Sequence, residues 1–112
     1  MRPPERLSEL EQLVLLALLR QEREAYGVSI RQEIEETGGR PVSIAAVYAA
    51  LDRLQRQSMV TSWLSGPTPE RGGRAKKHFA IQPAGAAALR ESREVMDRMW
   101  DGLQSHADLN TG

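Results

Sequence analysis

Arg71, Arg74, Lys76 and Lys77 crowd into seven residues that also hold Gly72 and Gly73. Four cations on a glycine-bearing segment suit a polyanion, because the backbone can bend along it while each cation meets one phosphate. A second set lies upstream, with Ser43, Ala45, Tyr48, Ala49 and Arg53 at helical spacing. On one helix face these would offer small side chains that let the backbone approach bases, flanked by two hydroxyls and a guanidinium suited to phosphate. Residues 40–78 carry seven Lys and Arg against Asp52 and Glu70, a net +5 in a chain whose formal charge is zero. The flanks are therefore acidic. Such polarity fits a local anionic partner, although clustered, merely solvated charges would look the same.

Other chemistry finds little support. The chain has no cysteine, and its two histidines, His78 and His106, are not accompanied by clustered carboxylates. There is no phosphate-binding Gly-Lys-Ser/Thr loop and no nucleophile elbow, and Gly72-Gly73 reads as a turn. An enzyme is not expected, and neither a metal nor a cofactor. The longest apolar run, Leu13 to Leu19, is far shorter than the ~20 residues of a membrane span. With no signal-type cleavage site in the opening residues, a soluble cytoplasmic protein is expected.

These residues must be positioned by a small set of elements within 112 residues, the length of one domain. Ser8-Glu9-Leu10-Glu11 is a capping box that opens a helix running to about Arg20. Its middle is apolar almost all round, so both of its sides need cover. A second helix spans Tyr26 to Thr37 and ends at Gly38-Gly39. Ser43 caps a third, in which Ile44, Val47, Leu51 and Leu54 form a buried face and Ala45, Ala49, Asp52, Arg53 and Arg56 point away. From Met59 the β-branched and aromatic texture predicts a strand, with a return strand over Ala75 to Gln82 and a long basic tip between. Pro83 then starts a final helix reaching about Leu103. The expected fold is mainly α with a small β-hairpin.

Leu7-Ser8-Glu9-Leu10-Glu11, Ala25-Tyr26-Gly27-Val28, the segment Pro41 to Leu54, Pro67 to Arg74 and Pro83-Ala84-Gly85 together resemble the PadR family of bacterial transcriptional regulators. The resemblance covers residues 7–103 in the expected order. It implies a winged helix-turn-helix over 1–82, with the wing at about 59–82, a C-terminal dimerisation helix over 83–105, and a flexible tail at 106–112. Its departures are His78-Phe79 in place of an aromatic pair, Ala75 and Ala80, and Gln82 where Thr would cap the last helix. The function implied is that of a regulator, more often a repressor, binding double-stranded DNA as a homodimer on an inverted repeat. The DNA-binding residues would be Ser43, Ala45, Tyr48, Ala49, Arg53, Arg71, Arg74, Lys76 and Lys77. The alternative is a winged helix that binds protein and not DNA.

In the last helix Leu89, Met96 and Leu103 recur at seven, with Met99 at the complementary heptad position and Val95 and Trp100 alongside. A homodimer is expected in which this strip packs on the partner's first helix, at Leu10, Leu13 and Leu16. Two readings of Trp100 stay open. It fills that interface, or it faces its mate across the two-fold axis and, with Met96, sandwiches a flat aromatic effector.

Overall fold

The computed structural model describes residues 6–66 and 75–103. Helix α1 spans Glu9–Gln21, and a single 3₁₀ turn follows at Glu22–Glu24. Then come α2 at Gly27–Gly38, α3 at Ile44–Arg56, strands β1 at Val60–Leu64 and β2 at Lys77–Ile81, and α4 at Pro83–Trp100. Each start has a local cause. The Ser8 hydroxyl accepts from the Glu11 N–H at 3.1 Å while the Glu11 carboxylate accepts from the Ser8 N–H at 2.8 Å, closing the capping box. Gly39, at φ 67°, supplies the left-handed residue that stops α2. Pro83 opens α4, and Gln82 before it makes no side-chain cap, as its departure from Thr implied.

The core is built around α1. Val14, Leu15, Ala17 and Leu18 are buried against Ile30 and Ile34 of α2, Val47, Ala50, Leu51 and Leu54 of α3, and Phe79 of β2. The predicted inner face of α3 holds at Val47, Leu51 and Leu54, whereas Ile44 is half-buried and Ala50 joins the core. Two α1 residues escape this cover, Leu16 at 44% exposure and Leu19 at 48%. Helix α4 meets the core only through its first half, where Gly85 is buried and Ala88 and Leu89 pack against the cluster.

The structure differs from the sequence-based expectation at three places. The connection Gln21 to Glu24 closes as the last residue of α1 and the 3₁₀ turn, and Ala25 and Tyr26, the latter read as the start of the second helix, instead pair with β2. The Phe79 N–H donates to the Ala25 carbonyl at 3.1 Å, and Tyr26 bridges His78. The return strand is shorter than predicted, beginning at Lys77, although the Ser65 N–H still reaches the Lys76 carbonyl at 2.9 Å. Helix α4 ends at Trp100 rather than Leu103, because Gly102 turns the chain at φ 83° and Leu103 N–H bonds back to the Trp100 carbonyl. The tip residues 67–74 and the expected tail lie outside the described residues.

Two ion pairs tie the helix-turn-helix to the start of α1. Both Arg40 Nη atoms grip Glu9, at 2.6 and 3.2 Å, across the α2–α3 turn. Arg53 Nε donates to Glu11 Oε2 at 2.9 Å. Glu11 is 8% exposed. Burial alone would raise its carboxyl, but the Ser8 N–H and the Arg53 guanidinium outweigh it and hold the group below the ordinary carboxylate value.

A group whose folded pKa is depressed stabilises above its unfolded pKa and loses that contribution as pH falls, because the unfolded chain takes up the proton first. Glu11→Gln should therefore cost about 1–2 kcal/mol at neutral pH. The difference from wild type should shrink as pH falls through and below the ordinary carboxylate range, as urea unfolding at several pH values will measure. A second expectation concerns Gly85, where a Cβ would stand 2.4 Å from the Met59 carbonyl oxygen. Gly85→Ala should destabilise by about 1–3 kcal/mol and lower the thermal midpoint by several degrees. Gly38→Ala, with open space around the added atom, should be neutral or slightly stabilising.

Candidate nucleic-acid interface

Helix α3 is anchored by its inner face and leaves its opposite face at the surface. Ser43 caps it, its hydroxyl accepting from the Ala46 N–H at 3.0 Å. Ala45 and Ala49 are exposed beyond that cap. Tyr48 is 44% exposed, and its ring lies against the start of α2. A Cβ on Gly27 would fall 2.2 Å from the Tyr48 hydroxyl oxygen, so only glycine at 27 leaves room for the ring. Phe79 of the hairpin supports the ring from another side, with centroids 6.5 Å apart. The structure thus brings Ser43, Ala45, Tyr48 and Ala49 to one accessible end of α3.

Arg53 is held differently. Its guanidinium is turned back onto Glu11, which makes it a brace between α3 and α1. Arg56 is paired with Asp52 one turn earlier on the same helix.

Of the basic wing residues, Arg71 and Arg74 lie outside the described residues. Lys76 and Lys77 are exposed, and each ammonium sits over a ring, Lys76 at 4.3 Å from the Tyr26 centroid and Lys77 at 5.7 Å from that of Phe79. Lys76 belongs to a larger column that sequence reading missed. The Arg23 guanidinium stands 4.4 Å over Trp63, Trp63 stacks on His78 at 5.8 Å, and His78 meets the edge of Tyr26 at 6.1 Å. Ring nitrogen Nδ1 of His78 lies 3.3 Å from the Ala25 carbonyl oxygen. Trp63 and His78 are direct cross-strand partners, so the hairpin register could have revealed that pair. Nothing local could have placed Arg23 or Tyr26 beside them.

The residues expected to dimerise divide into two groups. Leu10, Leu13 and Leu89 are partly buried against the chain's own core. Leu16 and the α4 side chains Met96, Met99 and Trp100 stand exposed, as does Leu103 beyond the helix, with Met99 reaching 71%.

This arrangement of three helices, a hairpin and a projecting fourth helix is shared with solved structures. A PadR family transcriptional regulator from Eggerthella lenta superposes with a TM-score of 0.66 at 27% identity, over 93% of this chain and 88% of that one. A PadR-like transcription factor from Bacteroides fragilis gives 0.69 at 23% identity, over 80% and 82%. A PadR family regulator from Clostridium difficile gives 0.63 at 19%, over 94% and 100%. No curated protein matches the chain. The model of the transcriptional regulator PadR-like family matches residues 15–91, from the middle of α1 through the hairpin and into α4. Since that span is well over half of the chain and includes the helix-turn-helix and wing described above, the protein belongs to the PadR-like family of transcriptional regulators.

Proposed function

We propose that the protein regulates transcription by binding double-stranded DNA directly, as a homodimer on an inverted repeat, with repression the sign that the family resemblance implies. The observation that carries this reading is the accessible N-terminal face of α3, with Ser43, Ala45 and Ala49 exposed and Tyr48 44% exposed beyond its contacts with Gly27 and Phe79. A helix so exposed can enter the major groove, while a hairpin bearing Lys76 and Lys77 follows the backbone. Ser43 and Tyr48 would hold phosphate, and Arg71 and Arg74 would extend the wing's contacts.

The dimer is supported by apolar surface that a single chain leaves uncovered. Val95, Met96, Met99, Trp100 and Leu103 cluster along and just past the free end of α4, all at least 40% exposed. Leu16 and Leu19 do the same on α1, beside a groove of about 360 Å³ lined by Leu13, Leu16, Leu19 and Ile34. Two such faces on one small chain satisfy each other across a two-fold axis, α4 of one copy against α1 of the next. Two recognition helices related by that axis then require half-sites about one helical turn apart, ~10 bp, or a multiple of it.

Two outcomes test these statements. Lys76→Ala with Lys77→Ala should weaken binding to every DNA sequence by a similar factor. It should also make the slope of log affinity against log salt shallower by about 0.9 for each phosphate that is no longer neutralised, as anisotropy titrations at several salt concentrations will show. Met99→Glu should shift sedimentation from dimer towards monomer. It should lower affinity for the inverted repeat far more than for a single half-site, because it removes avidity and leaves each reading head intact.

A further inference from the structure

Resting on the DNA-binding reading above, the polar side chains of α3 can be followed one by one. Arg53 Nε is bonded to Glu11 at 2.9 Å. Asp52 and Arg56 are bonded to each other. The Gln55 amide donates to the Ser62 hydroxyl at 2.8 Å and so turns towards the hairpin. Just upstream, both Nη atoms of Arg40 are on Glu9, and the Ser43 hydroxyl accepts the helix-capping bond. These are the side chains whose chemistry reads base edges by hydrogen bond. An arginine fork recognises the guanine O6 and N7, a glutamine amide the adenine N6 and N7, and a carboxylate the cytosine N4 amine. On α3 each of these types is already engaged with the protein.

Apart from the Tyr48 hydroxyl, assigned above to phosphate, what remains outward at the reading end is apolar. Ala45 and Ala49 present methyl groups, the Tyr48 side chain is 44% exposed, and Val28 stands 42% exposed next to the glycine under that ring. In the major groove the apolar feature that varies with sequence is the C5-methyl group of thymine. Because Ala45 and Ala49 extend only one carbon from the helix, they allow the close approach that methyl-to-methyl contact needs.

We infer that the base specificity of α3 is carried by contact of Ala45, Ala49 and Val28 with thymine methyl groups, so that the major-groove core of each half-site is built of A·T pairs. The pair between Arg53 and buried Glu11 thereby acts as a specificity determinant. It holds the Arg53 guanidinium back on α1 and leaves an apolar reader.

The test begins with selection of a preferred site from random duplexes by the full-length protein. Each thymine of the half-site core is then replaced by deoxyuridine, which keeps the hydrogen-bonding edge and deletes the methyl group. Loss of one buried methyl should weaken binding about 3- to 5-fold at each contacted position. Any guanine that the selected sites carry beside that core should tolerate replacement by 7-deazaguanine with a change in affinity of less than about 2-fold. In Ala49→Ser or Ala45→Ser protein the thymine-over-uracil preference should fall below 2-fold at one position and persist at the others. A selected core read through guanine, with a loss of tenfold or more on 7-deazaguanine substitution, would overturn the inference, as would uracil sites bound as tightly as thymine sites. A uracil penalty that neither alanine variant alters would overturn it too. Failure to select any sequence would instead strike the DNA-binding reading itself, so the two failures are distinguishable.

Discussion

The apolar girth of α1 is the constraint on which the rest of the molecule depends. A helix with Leu13-Val14-Leu15-Leu16-Ala17-Leu18-Leu19 at its centre cannot lie on a surface, because every turn would leave leucines in water. Helices α2 and α3 take two of its sides, β2 with Phe79 closes another, and the start of α4 lies across what remains. The helix-turn-helix is thus a shell around α1. Leu16 and Leu19 are left over from that constraint, still in need of cover after a single chain has folded. They sit on the element that also fixes the placement of α3, so the surface proposed for a second copy and the surface proposed for DNA are two faces of one packed unit.

Charge is arranged to serve the same unit. The first turn of α1 carries Glu9 and Glu11 where the helix dipole favours anions. Each carboxylate also takes an arginine from the helix-turn-helix, Arg40 from the turn and Arg53 from α3. The Glu9–Arg40 pair is open to solvent, and its energetic worth is small. Glu11 is buried, so losing either of its partners would strand a charge, and its value lies in fixing where α3 can sit. A cation that looks free in the sequence is here a brace. Among the described residues the positive field of the middle segment is therefore left chiefly to the wing lysines, Lys76 and Lys77.

The wing itself is held at its base by a column of three rings between two cations, Arg23, Trp63, His78, Tyr26 and Lys76 in turn. A two-stranded hairpin is marginal alone. This column, together with the bridge from Tyr26 to His78, adds a third backbone segment and anchors the hairpin to the turn before α2. Histidine stands in the column where the family resemblance leads one to expect an aromatic ring of another kind, and its planar ring serves the same stacking.

Local chemistry is what the sequence determined unaided. The capping box at Ser8, the glycine stop at Gly39, the Ser43 cap and Pro83 all act over three or four residues, so their meaning is complete in the chain itself. The buried face of α3 and the strand texture after Met59 were legible for the same reason, since each follows from one period of one element. The accessible set Ser43, Ala45, Tyr48 and Ala49 was equally readable as the complement of that buried face. Tertiary structure decided what depends on partners distant in sequence. Arg53 and Glu11 are 42 residues apart and His78 and Ala25 are 53 apart, and no periodicity reports such pairs. The need for glycine at 27 is visible only once Tyr48 lies upon it, and whether an arginine faces solvent or a carboxylate is fixed by the packing of helices that stand far apart along the chain.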